Sequence, residues 1–535
     1  MTLSQFSSTE TLRDLVVTDK SINSSPNLSP RDEKDFSIPS TPAESINLES
    51  QATASPPYHV FTRSRKLLMV IIVSFAAIFS PLSSNIYFPA LSDVAEELNI
   101  SMSLATLTIT VYMIVQGLAP SFWGSFSDVL GRRVVFIGTF AVYIVSNIAL
   151  AVSTNYGELM AFRALQAAGS AATISIGAGV IGDITTSAER GSLIGIFGGA
   201  SVRMLGQGVG PVFGGILSQY FGFRSIFWFL VIASGISLLS IMFFLPETLR
   251  SIAGNGTVPL KGIYKPVIYS ICGQKNARED STPPGKKGKV TLKTVLAPLT
   301  FLCEKDVFIT LLFGSIVYTV WSMVTSSTSA LFEKQYGLNS MEVGLTFLGN
   351  GFGCMTGSYT IGYLMDFNHK RTEREYCQQH NLPTDTRINL KSHSDFPIEY
   401  ARMRNTWWIT AIFIVCVSVY GVSLRTHLAA PIILQFIIAY GSTAISTINS
   451  ALVIDLYPGA SASATAVNNL MRCLIGAAGV AASQAIIDAI TAQFAFLMLA
   501  GITIAMVPLL MVEMKWGYGW RLERQERLQK KEDSV

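Results

Sequence analysis

The stretch GSLIGIFGGASVRMLGQGVGPVFGGIL occupies residues 191–217 and is long enough to cross a lipid bilayer, which takes about 20 mostly apolar residues. Glycines recur in it at every fourth position from Gly206 to Gly214, so on a helix they form a smooth stripe that a second helix can approach closely. Arg203 and Gln207 lie one turn apart on a neighbouring stripe. A charge at mid-membrane costs at least ~3 kcal/mol on insertion scales, so we expect Arg203 to face a water-filled cavity and to contact a solute there.

Composition places the chain among the membrane proteins. Of its 535 residues, 50% are hydrophobic and only 14% are charged, which is too apolar for a soluble domain. The six cysteines show no metal-ligand spacing, so we expect no disulfides and no metal site. The sequence contains no phosphate-binding loop and no nucleophile–base pair, so we expect no enzyme, no cofactor and no nucleic-acid partner.

Hydropathy predicts an all-α membrane protein with twelve transmembrane helices. Lysines and arginines concentrate in alternate loops, which by the positive-inside rule places both ends of the chain in the cytoplasm. The predicted spans are residues 67–89, 103–125, 132–152, 157–181, 191–217 and 225–245 in a first half, and residues 306–332, 343–365, 405–424, 429–454, 461–488 and 492–514 in a second half.

Polar segments surround these two halves. Residues 1–64 are rich in Ser, Thr, Pro and Asn, so they are expected to form a disordered cytoplasmic tail. The other predicted segments are the N-terminal half at 65–247, a cytoplasmic central loop at 248–304, the C-terminal half at 305–514 with a cytoplasmic loop at 366–404, and a cytoplasmic tail at 515–535.

The two halves repeat each other in sequence. The glycine, aspartate and arginine pattern of residues 124–133 recurs in part at 362–371 with the same offsets. Arg203 in the fifth span and Arg472 in the eleventh span lie at matching depths. Two pseudo-symmetric six-helix halves joined by a long cytoplasmic loop are typical of a secondary transporter with its site at the midplane.

The segment from Gly124 to Arg133 is a candidate conformational switch. Asp128 can lie near the positive end of a neighbouring helix, where a carboxylate gains ~0.3–1 kcal/mol. Arg132 and Arg133 can pair with acids such as Asp183. Contacts that form in only one arrangement of the halves would favour that arrangement. The alternative is that the arginines only set the topology.

Arg203, Gln207 and Arg472 are the candidate ligands for an anionic substrate. A guanidinium presents a planar fork of donors suited to a carboxylate, and Gln207 can donate one further bond. Two facing cations repel each other, which favours a substrate with at least two carboxylates between them; alternatively, Arg472 is architectural. Further polar candidates at mid-depth, each of which could instead only join helices, are Ser84, Asn85, Gln116 and Asn468.

Six motifs resemble those of the major facilitator superfamily, and most of all its fungal twelve-span drug:proton antiporters. The sequence departs from the family pattern at Val129, where a basic residue is common, and at Ala167, where glycine is usual. The matching segments are GSFSDVLGRRVV (124–135), RALQAAG (163–169), GQGVGPVFGG (206–215), PET (246–248), FPIEYARMR (396–404) and NNLMRCLIGA (468–477).

This resemblance implies alternating access with proton coupling. It assigns Arg163 and Gln166 to coupling, although a hydrogen bond to helix carbonyls would explain the arginine equally well. It also links Gly210, Pro211 and Gly214 to antiport. The alternative for these three is packing, in which the glycines let the fifth and eighth spans approach and the proline bends the helix.

The Arg203–Gln207 pair resembles the fifth span of the citrate exporters in that branch, whereas its drug exporters are usually apolar there. We therefore expect an exporter of citrate or a related di- or tricarboxylate. Its partners would be the lipid bilayer, the organic acid and protons. We expect a monomer in the plasma membrane, with the vacuolar membrane as the second choice. The alternatives are a proton-coupled multidrug exporter with a broad apolar pocket and a non-transporting sensor.

Overall fold

The computed structural model describes residues 59–186, 205–273, 297–381, 395–457 and 461–532, together with positions 189, 193, 197 and 383. All regular elements in this part of the chain are helices. In the N-terminal half the long helices are α1 (Arg63–Asn85), α2 (Met102–Leu130), α3 (Arg132–Val152), α4 (Tyr156–Ile184), α5 (Gly210–Phe221) and α6 (Arg224–Phe244).

The C-terminal half begins with a helix of the same kind. Its long helices are α7 (Lys305–Tyr336), α8 (Ser340–Gln379), α9 (Thr406–Ser423) and α10 (Ala429–Leu456), followed by the helical segment Ser461–Glu532. That segment breaks at Thr491, whose φ of 68° is not helical, and so forms α11 before the break and α12 after it. Shorter helices are Leu91–Glu97, Arg250–Ala253, Val267–Cys272 and Ile398–Met403, with single turns at Phe88–Ala90, Gly262–Tyr264 and Ala297–Cys303.

The helices have the lengths and hydropathy of membrane spans. Among the described residues, 9 helices are long and apolar enough to cross a bilayer, and the last of these, Ser463–Arg527, contains both α11 and α12. Glycines, hydroxyl residues and Asn350 lower the hydropathy of α8, and the predicted fifth span, residues 191–217, is described without gaps only from residue 205 onward. The predicted all-α, twelve-helix membrane fold is thus confirmed.

The two halves meet along two seams. In the first, α2 lies against α11, and a Cβ added to Gly117 would lie 3.0 Å from Cys473 Cβ. In the second, α5 lies against α8, and a Cβ added to Gly208 would lie 2.8 Å from the Cα of Gly351. Because Gly117 and Cys473 each lie well inside their helices, the halves touch near the middle of the membrane.

The segment 366–404, predicted as a cytoplasmic loop, begins as helix. The helix α8 continues past the membrane to Gln379. Contacts one turn apart stabilise this extension: an ion pair of Arg371 with Glu375 at 3.0 Å, and a contact of His369 with Glu373 at 3.6 Å. The predicted C-terminal tail is likewise helical as far as Glu532.

Three arginines anchor the last part of α12 to the rest of the C-terminal half. Arg524 pairs with Asp306 at 2.6 Å, at the start of α7. Arg521 pairs with Glu399 at 2.9 Å, and Arg527 with Glu304 at 2.7 Å. The first two pairs are buried, whereas Arg527 is largely exposed. A buried charge left without its partner is strongly destabilising, so the anchoring depends mainly on the two buried pairs.

We predict that Arg524→Met lowers the stability of the protein far more than Arg527→Met does. The first change leaves Asp306 buried without its cation, a loss of about 3–5 kcal/mol. The second removes an exposed pair worth about 0–1 kcal/mol. Thermal unfolding of the two variants in the same detergent measures the difference. Equal melting temperatures for the two variants would contradict the importance of the buried pair.

Candidate functional site

The π-helical turn Leu205–Val209 leads into α5 and carries Gln207. Pro211, at the start of α5, has no N–H to donate to the carbonyl four residues earlier, so the regular hydrogen-bond ladder is interrupted there. The side-chain oxygen of Gln207 is buried and has no hydrogen-bond partner among the described residues. The turn therefore holds an amide that is ready to accept a bond. Arg203, the predicted partner of Gln207, lies outside the described residues.

The stripe of Gly206, Gly210 and Gly214 lies against α1. A Cβ on Gly206 would lie 2.5 Å from Pro81 Cβ, and a Cβ on Gly210 would lie 3.1 Å from Leu82 Cδ1. A Cβ on Gly214 would overlap the carbonyl oxygen of Ile86. The stripe therefore requires glycine because backbone and proline ring occupy the space that a side chain would need.

A second set of glycines brings α5 against α8. Gly208 lies against Gly351, and a Cβ on Gly215 would overlap the carbonyl oxygen of Ser340. On the other helix, a Cβ on Gly344 would lie 2.6 Å from the carbonyl oxygen of Pro211. The approach of the fifth and eighth helices is therefore confirmed, but Gly208 and Gly215 make it and not the stripe of Gly206, Gly210 and Gly214.

Arg472 is held by neutral groups near the middle of α11. Its guanidinium donates to Asn469 Oδ1 at 2.8 Å and lies 4.7 Å from the centroid of the Tyr318 ring in α7. Its Nε is buried and has no hydrogen-bond partner in the described part of the chain. Asn469 also donates to the backbone oxygen of Gln116 in α2, at 3.1 Å, and so ties the two halves together. Arg472 thus keeps a free donor beside the seam between the halves.

A line of contacts connects Arg472 with the turn that carries Gln207. The rings of Tyr318 and Trp321 are 5.3 Å apart at their centroids. Trp321 donates to Asn350 Oδ1 in α8 at 2.8 Å. The next residue of α8, Gly351, lies against the backbone between Gln207 and Gly208. The cation of α11 and the turn that carries Gln207 are therefore linked through side chains of α7 and the backbone of α8.

The other predicted polar ligands have different surroundings. Gln116 donates weakly to Ser80 Oγ, at 3.4 Å, and is half-buried. Asn468 donates to Ser450 in α10 at 2.8 Å. Asn85 donates to the carbonyl oxygen of Pro81 in its own helix, at 2.6 Å, and is buried. Ser84 is half-buried. Of these four residues, Gln116 is the one connected to Arg472: its backbone oxygen accepts the bond from Asn469, which holds Arg472.

Arg163 in α4 is fully buried among aromatic rings. Its guanidinium lies 4.2 Å from the Tyr87 ring centroid and 4.7 Å from that of Tyr112. It donates to Gln166 Oε1 at 2.7 Å, and Gln166 donates in turn to Asn147 at 2.7 Å. Two of its nitrogens have no hydrogen-bond partner among the described residues. It also donates weakly to the backbone oxygen of Ser83 in α1, at 3.5 Å, so part of the predicted bonding to helix carbonyls is present. A cation whose described neighbours are all uncharged can respond to an anion or to a change of charge nearby.

The predicted switch segment is a network inside the N-terminal half. Arg132 pairs with Asp128 at 2.6 Å and with Asp183 at 3.1 Å. Gly124 has open space around it. Gly131 has a φ of 106°, and a Cβ there would overlap the carboxylate of Glu247, so glycine is required at this turn. The predicted pairing with Asp183 is confirmed for Arg132.

Arg133 does not pair with Asp183. Its guanidinium is buried and donates to the backbone oxygens of Ile241, at 2.5 Å, of Leu245 and of Met242, at 2.8 Å, near the end of α6. A cation satisfies the free carbonyls of a helix end well. The prediction was wrong for Arg133 because sequence spacing cannot show that α6 ends beside α3.

Glu247 is the acid that completes this network. It accepts bonds from the backbone N–H groups of Arg132, at 2.8 Å, and Arg133, at 3.2 Å, at the start of α3. The N–H groups of Thr248 and Leu249 donate to it as well. Burial raises the pKa of the Glu247 carboxyl, and these backbone bonds oppose that rise. The fixed carboxylate therefore joins the ends of α6 and α3.

Sequence reasoning missed two functional contacts that it could have found. Asn469 lies three residues before Arg472, a spacing that puts both side chains on one helix face. Glu247 lies in the PET segment (246–248), one of the six that resemble the family, and this position marks the acid as a candidate.

We predict that Gly214→Ala destabilises the protein by about 1–3 kcal/mol, the usual range for overpacking, because the new methyl group overlaps the Ile86 carbonyl oxygen. The matched control is Gly235→Ala in α6, where a Cβ would meet nothing within 4 Å. Yield of monodisperse protein and melting temperature in detergent measure the effect. A Gly214→Ala variant as stable as the control would refute the backbone contact between α5 and α1.

Comparisons with known proteins agree with this architecture. Residues 73–373, more than half of the chain, match the family described as Major Facilitator Superfamily. The chain is 72% identical to Citrate exporter 1 of Aspergillus niger, across 95% of this chain and 96% of that protein. It is 30% identical to Quinidine resistance protein 1 of Saccharomyces cerevisiae, across 86% and 85% of the two chains. The human organic anion transporter MFSD10 (TETRAN) has a similar fold, with a TM-score of 0.52, 15% identity and coverage of 83% of this chain and 99% of that one. The chain belongs to the Major Facilitator Superfamily.

Proposed function

We propose that this transporter exports citrate or a related di- or tricarboxylate by alternating access. The observation that carries the proposal is Arg472, a guanidinium inside the helix bundle that is held by neutral Asn469 and by the face of Tyr318. A buried cation is stabilised by an opposite charge, and a carboxylate substrate supplies one. The 72% identity to a protein named as a citrate exporter supports this choice of substrate.

Two cations related by the repeat explain a preference for several carboxylates. The Nε–H group of Arg472 has no hydrogen-bond partner among the described residues, so in the proposal it donates to a first carboxylate. In the proposal, Arg203 of the repeat-related fifth span binds a second carboxylate, since its fork of donors fits that group. Gln207 follows Arg203 by one turn, and it can accept a bond from a substrate hydroxyl group through Oε1 or donate one to a carboxylate through Nε2. The substrate would then be held between the two halves. Rocking of the halves can expose it first to one side of the membrane and then to the other.

Proton coupling is part of the proposal. Arg163 is a buried cation with aromatic and amide neighbours. Because a guanidinium stays protonated, Arg163 would not carry the coupled proton itself. In the proposal its fixed charge acts on the acid that does, by favouring its ionised form, or repels an entering proton. We place the protein in the plasma membrane, because an exported acid must leave the cell, and as a monomer, because one chain supplies both halves of the site.

Export of cationic or apolar drugs is the second candidate. The 30% identity to Quinidine resistance protein 1 favours it, as do the rings of Tyr318 and Trp321 near the centre. However, Arg472 would repel a cationic drug, and an apolar drug would leave its charge without a partner. The chemistry around Arg472 therefore supports the carboxylate over the drug.

We predict that cells producing the wild-type protein release citrate or a related acid, and that Arg472→Lys and Gln207→Leu lower this release at least tenfold at equal protein level. Lysine keeps the charge but loses the planar fork, and one charge-assisted hydrogen bond contributes about 1.5–3 kcal/mol. Chromatography of the medium measures the acid. Arg203→Lys is tested in the same way.

The matched control is Arg425→Lys, an exposed arginine just after α9, which should leave acid release unchanged. Resistance to quinidine and other cationic drugs, gained without any rise in extracellular acid, would favour the drug exporter instead. Normal release by the variants at all three site positions would show that the substrate binds elsewhere.

We predict that a protonophore lowers citrate release by the wild-type protein when membrane potential is clamped. Arg163→Gln should release less citrate, and its remaining release should no longer respond to the protonophore, because the coupling cation is gone. Release into media of different pH, from cells with equal surface expression, measures the coupling. Wild-type release that is independent of the proton gradient would exclude proton coupling.

A further inference from the structure

A single carboxylate joins the two halves at their outer ends. Asp93, in the short helix Leu91–Glu97, accepts hydrogen bonds from Ser340 Oγ at 2.9 Å and 3.1 Å. The same carboxylate accepts a short hydrogen bond from Ser218 Oγ. Ser218 belongs to α5 in the N-terminal half, and Ser340 is the first residue of α8 in the C-terminal half. Asp93 thus ties the outer end of the α5–α8 seam.

Two further contacts close the same region. Ser329 of α7 donates to the backbone oxygen of Phe88 at 2.7 Å. The rings of Phe88 and Phe347 are stacked, with centroids 6.0 Å apart and planes 6° apart. Both contacts join the segment after α1 to helices of the C-terminal half. The three sites together form an outer gate made of Phe88, Asp93, Ser329, Ser340 and Phe347.

The ion pairs on the cytoplasmic side hold each half together separately. Arg132–Asp183 lies within the N-terminal half, at 3.1 Å. Arg402–Asp455, at 2.8 Å, and Arg524–Asp306, at 2.6 Å, lie within the C-terminal half. The structure therefore shows an arrangement whose halves are bonded to each other on the outer side, which is the arrangement that must open to release an exported solute.

We infer that Asp93 is the latch of the outer gate: its bond to Ser340 holds the outer side closed and must break before a solute can leave. The inference rests on the alternating-access part of the proposed function and not on the identity of the substrate. A carboxylate makes stronger bonds to hydroxyl groups than an amide does, because the acceptor is charged. Asp93 is only half-buried, so water can replace Ser340 once the halves separate, and the latch is reversible.

Ser218 and Ser340 have different roles in the latch. The bond from Ser218 stays within one half and orients the carboxylate. The bond from Ser340 crosses the seam, so of the two bonds to Asp93 it is the one that distinguishes the closed from the open outer gate. The neighbouring acid Glu97 pairs with Arg224 of its own half, which makes it a suitable control for charge on the same short helix.

The test measures access from outside to a position behind the gate. Thr325 lies one turn before Ser329 on α7, is 4% exposed and donates to the Trp321 carbonyl of its own helix. In intact cells carrying Thr325→Cys, the rate of labelling by a membrane-impermeant maleimide reports opening of the gate, after subtraction of the labelling of a parent without that change. Asp93→Asn and Ser340→Ala should raise the rate about tenfold or more, since the charged hydrogen bond is lost.

Ser340→Thr, which keeps the hydroxyl group, should label like the parent, and so should Glu97→Gln. Ser218→Ala should raise the rate less than Ser340→Ala. If Asp93→Asn does not reach the cell surface, the comparison of Ser340→Ala with Ser340→Thr decides alone. Equal labelling of Ser340→Ala and Ser340→Thr would overturn the latch. Because labelling requires no substrate, this failure is distinguishable from an absence of citrate release.

Discussion

The rest of the structure depends on the approach of three backbones without side chains between them. The helix α5 lies between α1 and α8, and glycines on two of its faces make both contacts possible. Gly214 lies against the Ile86 carbonyl, and Gly208 lies against Gly351. Helices in a bilayer gain little from the hydrophobic effect, so close van der Waals contact supplies much of their association. The seam between the halves can therefore be tight without being fixed by many specific bonds.

Arginine takes two different roles in this molecule, and the partners of each guanidinium separate them. Arg133, Arg521 and Arg524 are buried with carbonyl or carboxylate acceptors, and they join helix ends. Arg163 and Arg472 are held by amides and aromatic faces. A cation with a carboxylate partner is already neutralised. A cation with neutral partners still gains from an anion, which is the property that a carboxylate carrier needs.

The seam between the halves carries different chemistry at different depths. At the outer end, Asp93 and the stacked rings of Phe88 and Phe347 form contacts that can break as units. Near the middle, Asn469 connects Arg472 to α2, so a change at the cation is felt by both halves. In the proposed mechanism, binding at the centre and opening at the outside would be connected through α7 and α8, which contribute to both regions. Such a coupling requires two packed arrangements of similar free energy.

The sequence by itself determined the class, the number and order of the helices and the presence of buried cations, because hydropathy, charge placement and repeat spacing are local properties of the chain. It also predicted the Arg132–Asp183 pair and the requirement for glycine in α5. Only the tertiary structure decided which helix each glycine faces, that Arg133 meets the end of α6, and that Asn469 also reaches the backbone of Gln116 in the other half. Most of these partners lie far apart in the chain. Other residues, such as Gly214 and Gly215, are adjacent in the chain but face different helices. Their choice depends on the rotation of each helix about its axis, which packing against neighbours sets and local sequence does not.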